Sequence, residues 1–107
     1  MPLAHKRCQP CEGGVPRLTG AEVERLRVEV PAWTVTDGRL RRRLVFPTFP
    51  EAIAFVNRVA GLAEEEGHHP DFAVHYRQVD LEIWTHAIGG LSENDFILAA
   101  KIDGLAS

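Results

Sequence analysis

The stretch AWTVTDGRLRRRLVF, residues 32–46, constrains the fold more than any other part of this chain. Asp37-Gly38 is a two-residue turn signal, since both types tolerate the left-handed backbone that tight hairpins require. Alternating residues flank it. Leu40, Leu44 and Phe46 share one face with Arg42, while Arg39, Arg41 and Arg43 share the other. A second period-two segment, AVHYRQVDLEIWTH at 73–86, reads as a short strand, a tight turn near Arg77-Gln78 and a longer strand. In that longer strand Val79, Leu81, Ile83 and Thr85 face one way, and Asp80, Glu82, Trp84 and His86 the other. Two hairpins of this kind predict an antiparallel sheet.

Helical periodicity precedes, separates and follows the hairpins. Thr19 with Glu22 fits a capping box, and Val23, Leu26 and Val30 form one apolar stripe before Pro31 stops the helix. Thr48 with Glu51 fits a second box, and Pro50 is tolerated in the first turn. Ile53, Val56, Ala60 and Ala63 then build an apolar face, which Gly67 is placed to end. Glu64, Glu65 and Glu66 sit in that last turn against the helix dipole, a local conflict of the kind that sometimes marks function. Ser92 starts the final helix with Asp95 at its box position and Leu91 facing Phe96 as a staple. The predicted fold class is α+β: α-β-β-α-β-β-α with a four-stranded antiparallel sheet covered by helices on one face.

Residues 1–18 hold three prolines and two glycines with little periodicity, and read as a flexible, extended leader ahead of one domain spanning 19–107. The leader contains Cys8-Gln-Pro-Cys11. A CxxC is a redox pair or half a zinc site, but neither a strand–helix setting nor two further ligands are apparent nearby. A reduced leader is the expectation, with metal binding as the alternative.

A net charge of −3 gives no electrostatic case for nucleic acid as a partner. The only basic cluster, RLRRRL, has the alternation of a solvated strand face. No apolar run approaches the roughly 20 residues of a membrane span, and a cytoplasmic protein is expected.

Three of the five histidines fall within EEEGHHPDFAVHY at 64–76, and His86 follows soon after. Adjacent side chains diverge in helix or strand, so His68 and His69 cannot simply chelate together, and HExxH is absent. A metal site using His68, His86 and a carboxylate remains sterically possible. Nucleophilic catalysis lacks a G-x-S-x-G elbow, and phosphate cradles are missing. General acid–base chemistry asks for less: groups that titrate near neutrality, held around a substrate. Helix–strand junctions are suitable places for them, and Pro70 restricts His69 to extended backbone. Capping and surface roles for these histidines stay open at this level.

Glu64, His68-His69-Pro70, Tyr76, Thr85-His86 and the Gly-Leu-Ser-x-x-Asp run ending at Asp95 follow one spacing. It resembles that of the pterin-4a-carbinolamine dehydratase family, over roughly residues 19–103. The resemblance implies the fold derived above, a dimer or a dimer of dimers, and dehydration of a 4a-hydroxytetrahydropterin to quinonoid dihydropterin. That reaction recycles the cofactor of aromatic amino acid hydroxylases and uses no metal and no organic cofactor. By the same resemblance, His68 and His86 are the proton-transfer candidates and His69 binds and orients the pterin. Asp95 orients a histidine or the substrate, and Trp33 corresponds to an aromatic near the pterin site, with core or hairpin packing as its alternative. Glu64 matches the first position but reads as a solvated helix end, and Tyr76 as a packing residue. Some family members also bind a transcription factor, which makes a regulatory binding module the alternative reading.

Overall fold

The computed structural model describes residues 3–8 and 16–106. Its elements in chain order are α1 (Gly20–Arg27), β1 (Thr34–Thr36), β2 (Arg39–Val45), α2 (Phe49–Glu66), β3 (Asp71–His75), β4 (Gln78–Ile83) and α3 (Glu93–Ala106). Short 3-10 turns at Leu3–His5 and His86–Ile88 complete it. The four strands form one antiparallel sheet in the order β1-β2-β4-β3, so the two hairpins join through β2 and β4.

Local chemistry accounts for most of these boundaries. Asp37 and Gly38 both take positive φ, 54° and 70°, as the mirror-image turn of a two-residue hairpin demands. Thr19 and Glu22 complete their capping box, and α1 ends one turn before Pro31. At α2 only half of the expected box forms: Thr48 Oγ1 accepts the Glu51 amide at 3.2 Å. Gly67 closes α2 in the left-handed region at φ 66°. The second hairpin turns at Tyr76-Arg77, one residue earlier than expected, with His75 opposite Gln78. Tyr76 holds φ 58° there, while its ring stacks on Phe49 and the Phe46 amide bonds the Arg77 carbonyl. Those contacts take the place of a glycine or asparagine signal.

The alternation in β4 sorts as expected. Val79, Leu81, Ile83 and Thr85 are buried against the helices. On the uncovered face Arg39, Arg41 and Arg43 pair with Glu82 and Asp80, so the basic cluster is a solvated, ion-paired strand face. Ala52, Phe55 and Val59 of α2 and Phe96, Ala99 and Ile102 of α3 fill the core with Leu40.

Helix α3 is buried on all sides through Asn94–Ala99, more than a one-sided stripe requires. The extra cover comes from the leader. In place of the extended arm expected there, Leu3–Cys8 turns and docks on α3, with Leu3 buried in the core cluster. Leu3 gives this stretch an apolar anchor that periodicity over so few residues cannot reveal. Cys8 is half-buried, its thiol donating to the Asn94 carbonyl at 3.6 Å, and Cys11 lies outside the described residues.

Candidate active site

The end of α2, the start of β3 and the exit from β4 meet at one edge of the sheet. Gly67 reverses the chain out of α2, so His68 and His69 follow the helix at once. Pro70 then leads into β3, whose first residue is Asp71. From the other side, Thr85 pairs with Gly90 through a 2.9 Å amide bond, and the short loop between them carries His86. Gly67, His68, His69, Asp71, Trp84, Thr85, His86 and Ala87 line a cleft of about 340 Å³, a size that small-molecule sites commonly have, roughly 300 Å³ or more. A larger concavity of about 610 Å³ lies on the uncovered sheet face. Its charged walls are already engaged in the Arg41–Glu82 and Arg43–Asp80 pairs and it has no histidine, so the smaller cleft is the candidate site.

His68 is the buried member, with its Nε2 2.6 Å from Asp95 Oδ1. Asp95 is fully buried. Its Oδ2 accepts the Ser92 amide at 2.8 Å and the Thr85 hydroxyl at 2.9 Å. Thr85 spends its only proton on Asp95, so the Ser92 hydroxyl donates to Thr85 across 2.8 Å. The predicted cap of α3 is thus half formed: the carboxylate holds the Ser92 amide, while the Ser92 hydroxyl is diverted into the site. With both Oδ2 contacts donors to a carboxylate, Oδ1 accepts from Nε2–H of His68. That bond selects the tautomer and leaves Nδ1 as the basic nitrogen of the neutral ring.

His69 and His86 sit at the open side. His69 Nε2 is 2.5 Å from Glu64 Oε2, one turn back on α2, and both side chains are exposed. His86 stacks on Trp84 with ring centroids 4.0 Å apart, and its Nε2 lies 3.7 Å from Asp71 Oδ2. Trp84 Nε1 donates to the same Asp71 oxygen at 3.4 Å, while the Arg39 guanidinium lies over the indole at 4.3 Å. His68 and His86 therefore differ in setting: one is sheltered and hydrogen-bonded to a buried acid, the other is accessible and held mainly by stacking.

The structure brings His68, His69 and His86 to the cleft, with Asp95 behind His68. Trp33 is placed elsewhere. It is buried in the core and its Nε1 donates to Asp103 Oδ1 at 2.8 Å, an acid that Arg42 also engages, so it does not line the cleft. Sequence reasoning passed over Asp71 and Trp84, although the β3–β4 register puts Asp71 opposite Glu82 and hence diagonal to Trp84. It also read Glu64 as a solvated helix end; the side chain is exposed, yet it holds His69. Among the described residues no group of three or more His, Cys, Asp or Glu side chains is arranged to hold a metal ion.

Comparison with known proteins gives the family of the chain. Residues 16–105 match the family described as Pterin 4 alpha carbinolamine dehydratase. A protein of Rubrobacter xylanophilus assigned as a pterin-4-alpha-carbinolamine dehydratase is 51% identical over 104 residues, covering 96% of this chain and 97% of that protein. The crystal structure of a transcriptional coactivator/pterin dehydratase from Brucella melitensis superposes with a TM-score of 0.82 at 30% identity, over 86% of this chain and all (100%) of that one. A pterin dehydratase-like protein, identified as a RuBisCO assembly factor in the alpha-carboxysome, gives a TM-score of 0.58 at 28% identity, over 70% of this chain and 87% of that one. The chain belongs to the pterin-4-alpha-carbinolamine dehydratase family of hydro-lyases.

Proposed function

We propose that this chain dehydrates a 4a-hydroxytetrahydropterin to the quinonoid dihydropterin by histidine acid–base catalysis in the cleft. The observation that carries the reading is the pairing of a sheltered His68, bound through Nε2 to Asp95, with an accessible His86 across the same cleft. The reaction removes a proton from N5, breaks the C4a–O bond as that oxygen is protonated, and forms the C4a–N5 double bond. Proton gain and loss balance, so two imidazoles in opposite protonation states suffice and each turnover resets them by exchange with water. Asp95 acts as a positioning residue for His68. His69, held by Glu64 at the rim, is assigned to binding and orienting the bicyclic ring system. Trp33 takes no part; it supports the first hairpin through Asp103.

Cofactor recycling for an aromatic amino acid hydroxylase, a cytoplasmic setting and a dimeric or tetrameric assembly complete the proposal. No helix among the described residues is long and apolar enough to cross a membrane, which accords with it. The test is an ultraviolet assay of pterin dehydration with the native protein, paired with NMR of the imidazoles during titration with a dihydropterin. Saturable acceleration, with His68, His69 and His86 signals moving while His75 stays fixed, supports the reading. No acceleration by protein that binds the pterin contradicts it.

The coactivator named with the Brucella structure and the assembly factor favour a second reading, in which this chain binds a protein partner. An exposed Phe49–Tyr76 stack and the exposed Val45 and Phe72 offer apolar surface for that. Capture of a stoichiometric partner by a variant lacking His68 and His86 would support it.

A further inference from the structure

The last turn of α2 places Glu64, Glu65 and Glu66 where the helix dipole disfavours negative charge. Glu64 is explained by His69, but Glu66 has other partners. Its side chain is only 5% exposed, and Oε2 lies 3.2 Å from Arg7 Nε. The same oxygen is 3.7 Å from Lys101 Nζ on α3, and Oε1 accepts the Cys8 amide at 2.9 Å. Burial pushes the Glu66 carboxyl up, but the Cys8 amide and the Lys101 and Arg7 charges outweigh it and hold the group below its ordinary 4.5. One carboxylate thus fastens three pieces together: the end of α2, the docked leader and the middle of α3.

Its place in the chain connects this knot to the cleft. Gly67 follows Glu66, and His68 comes next. The docked leader also reaches the start of α3, where Lys6 Nζ meets Glu93 Oε2 at 2.9 Å and the Cys8 thiol meets the Asn94 carbonyl. Asp95 is the next residue. The segment Leu3–Cys8 therefore touches both chain ends that supply the His68–Asp95 contact, and Glu66 is its main attachment on the His68 side.

We propose that Glu66 is a positioning residue: by fastening Leu3–Cys8 and Lys101 to the last turn of α2, it sets how His68 meets Asp95. A hydrogen bond of 2.6 Å has little tolerance for displacement. The amides of Gly67 and His68 already bond the Ala63 carbonyl and tie both residues to α2; Glu66 adds the tie from α2 to the leader and to α3, the helix that carries Asp95. Its effect on turnover rests on the reading of His68 as a proton-transfer group; its effect on the His68–Asp95 contact does not.

The experiment is imidazole NMR of the full chain, alongside steady-state kinetics, for the native protein, Glu66→Gln and Arg7→Ala. Glutamine keeps the volume and an acceptor for the Cys8 amide, and replaces the charged oxygen facing Lys101 and Arg7 with an uncharged NH2 donor that neither can bond. In Glu66→Gln the His68 Nε2 proton is expected to exchange with water about tenfold faster while the His86 signals stay in place. The expected kinetic change is a fall in kcat of about tenfold with KM within about twofold of native. Arg7 is a solvent-exposed residue whose loss leaves the core intact, so Arg7→Ala gives the same change in smaller measure even if Glu66→Gln does not fold. Unchanged His68 signals in the folded variants overturn the proposal, whatever happens to turnover. Altered His68 signals with native turnover uphold the positioning role and count instead against His68 in proton transfer.

Discussion

Asp95 divides its two oxygens between the start of α3 and a histidine. Oδ2 holds the first turn of α3 through the Ser92 amide and receives the Thr85 hydroxyl, while Oδ1 fixes the His68 ring. An amide in its place presents a donor to one of those donors and favours the wrong tautomer of His68. Asp95→Asn should therefore lower kcat by about 10²-fold or more and cost about 1–3 kcal/mol of stability through a buried donor left unpaired. Steady-state kinetics and urea unfolding check both, and native kcat in a folded variant would refute the role. His69 is expected to behave differently. His69→Ala should raise KM several-fold with kcat nearly unchanged, since its contribution is to binding, and a fall confined to kcat would contradict that assignment. The contact of Asp95 with a histidine was legible in the sequence because the spacing of His68 and Asp95 is part of a recognisable pattern. Trp33 could not be placed, because its partner Asp103 lies 70 positions away and only the folded chain brings them together.

At the scale of elements, the turns that deliver the histidines depend on backbone conformation. Gly67 at φ 66° ends α2 and releases His68 toward Asp95. Gly67→Ala should destabilise the protein by about 1 kcal/mol and also reduce kcat, because strain at this cap displaces His68. Thr19→Ala removes a cap of similar strength, about 1 kcal/mol, far from the cleft, and should leave kcat unchanged. Equal kinetic effects of the two substitutions would sink the distinction. The hairpin at Asp37-Gly38 was readable because its turn chemistry is local. The turn at Tyr76-Arg77 was displaced by one residue because stacking on Phe49, a tertiary contact, stabilises a tyrosine at positive φ. The docking of Leu3–Cys8 was hidden for a related reason: its partners Glu66, Glu93 and Asn94 belong to the far ends of two helices.

For the whole molecule, charge ties the leader and the sheet face to acid stability. Glu66 is held below 4.5 for the reasons given, and Asp80 is held below 3.8, first by its hydrogen bond from Arg43, which outweighs the effect of burial. A carboxyl depressed in the folded state contributes stability above its unfolded value and loses it as pH falls through its folded value. Tm should thus hold between about pH 7 and 5 and fall below about pH 4.5, with a smaller fall in Glu66→Gln. Calorimetry at stepped pH checks this; a native–variant difference that stays constant down to about pH 3 would contradict it. The central claim concerns the cleft itself, and stopped-flow ultraviolet spectroscopy tests it most directly. Freshly generated 4a-hydroxytetrahydropterin is mixed at neutral pH with native protein or with the His68→Ala, His86→Ala double variant. The native protein should accelerate loss of water and the folded double variant should lose that acceleration by roughly 10²-fold or more, whereas equal rates with both proteins would contradict catalysis by these histidines.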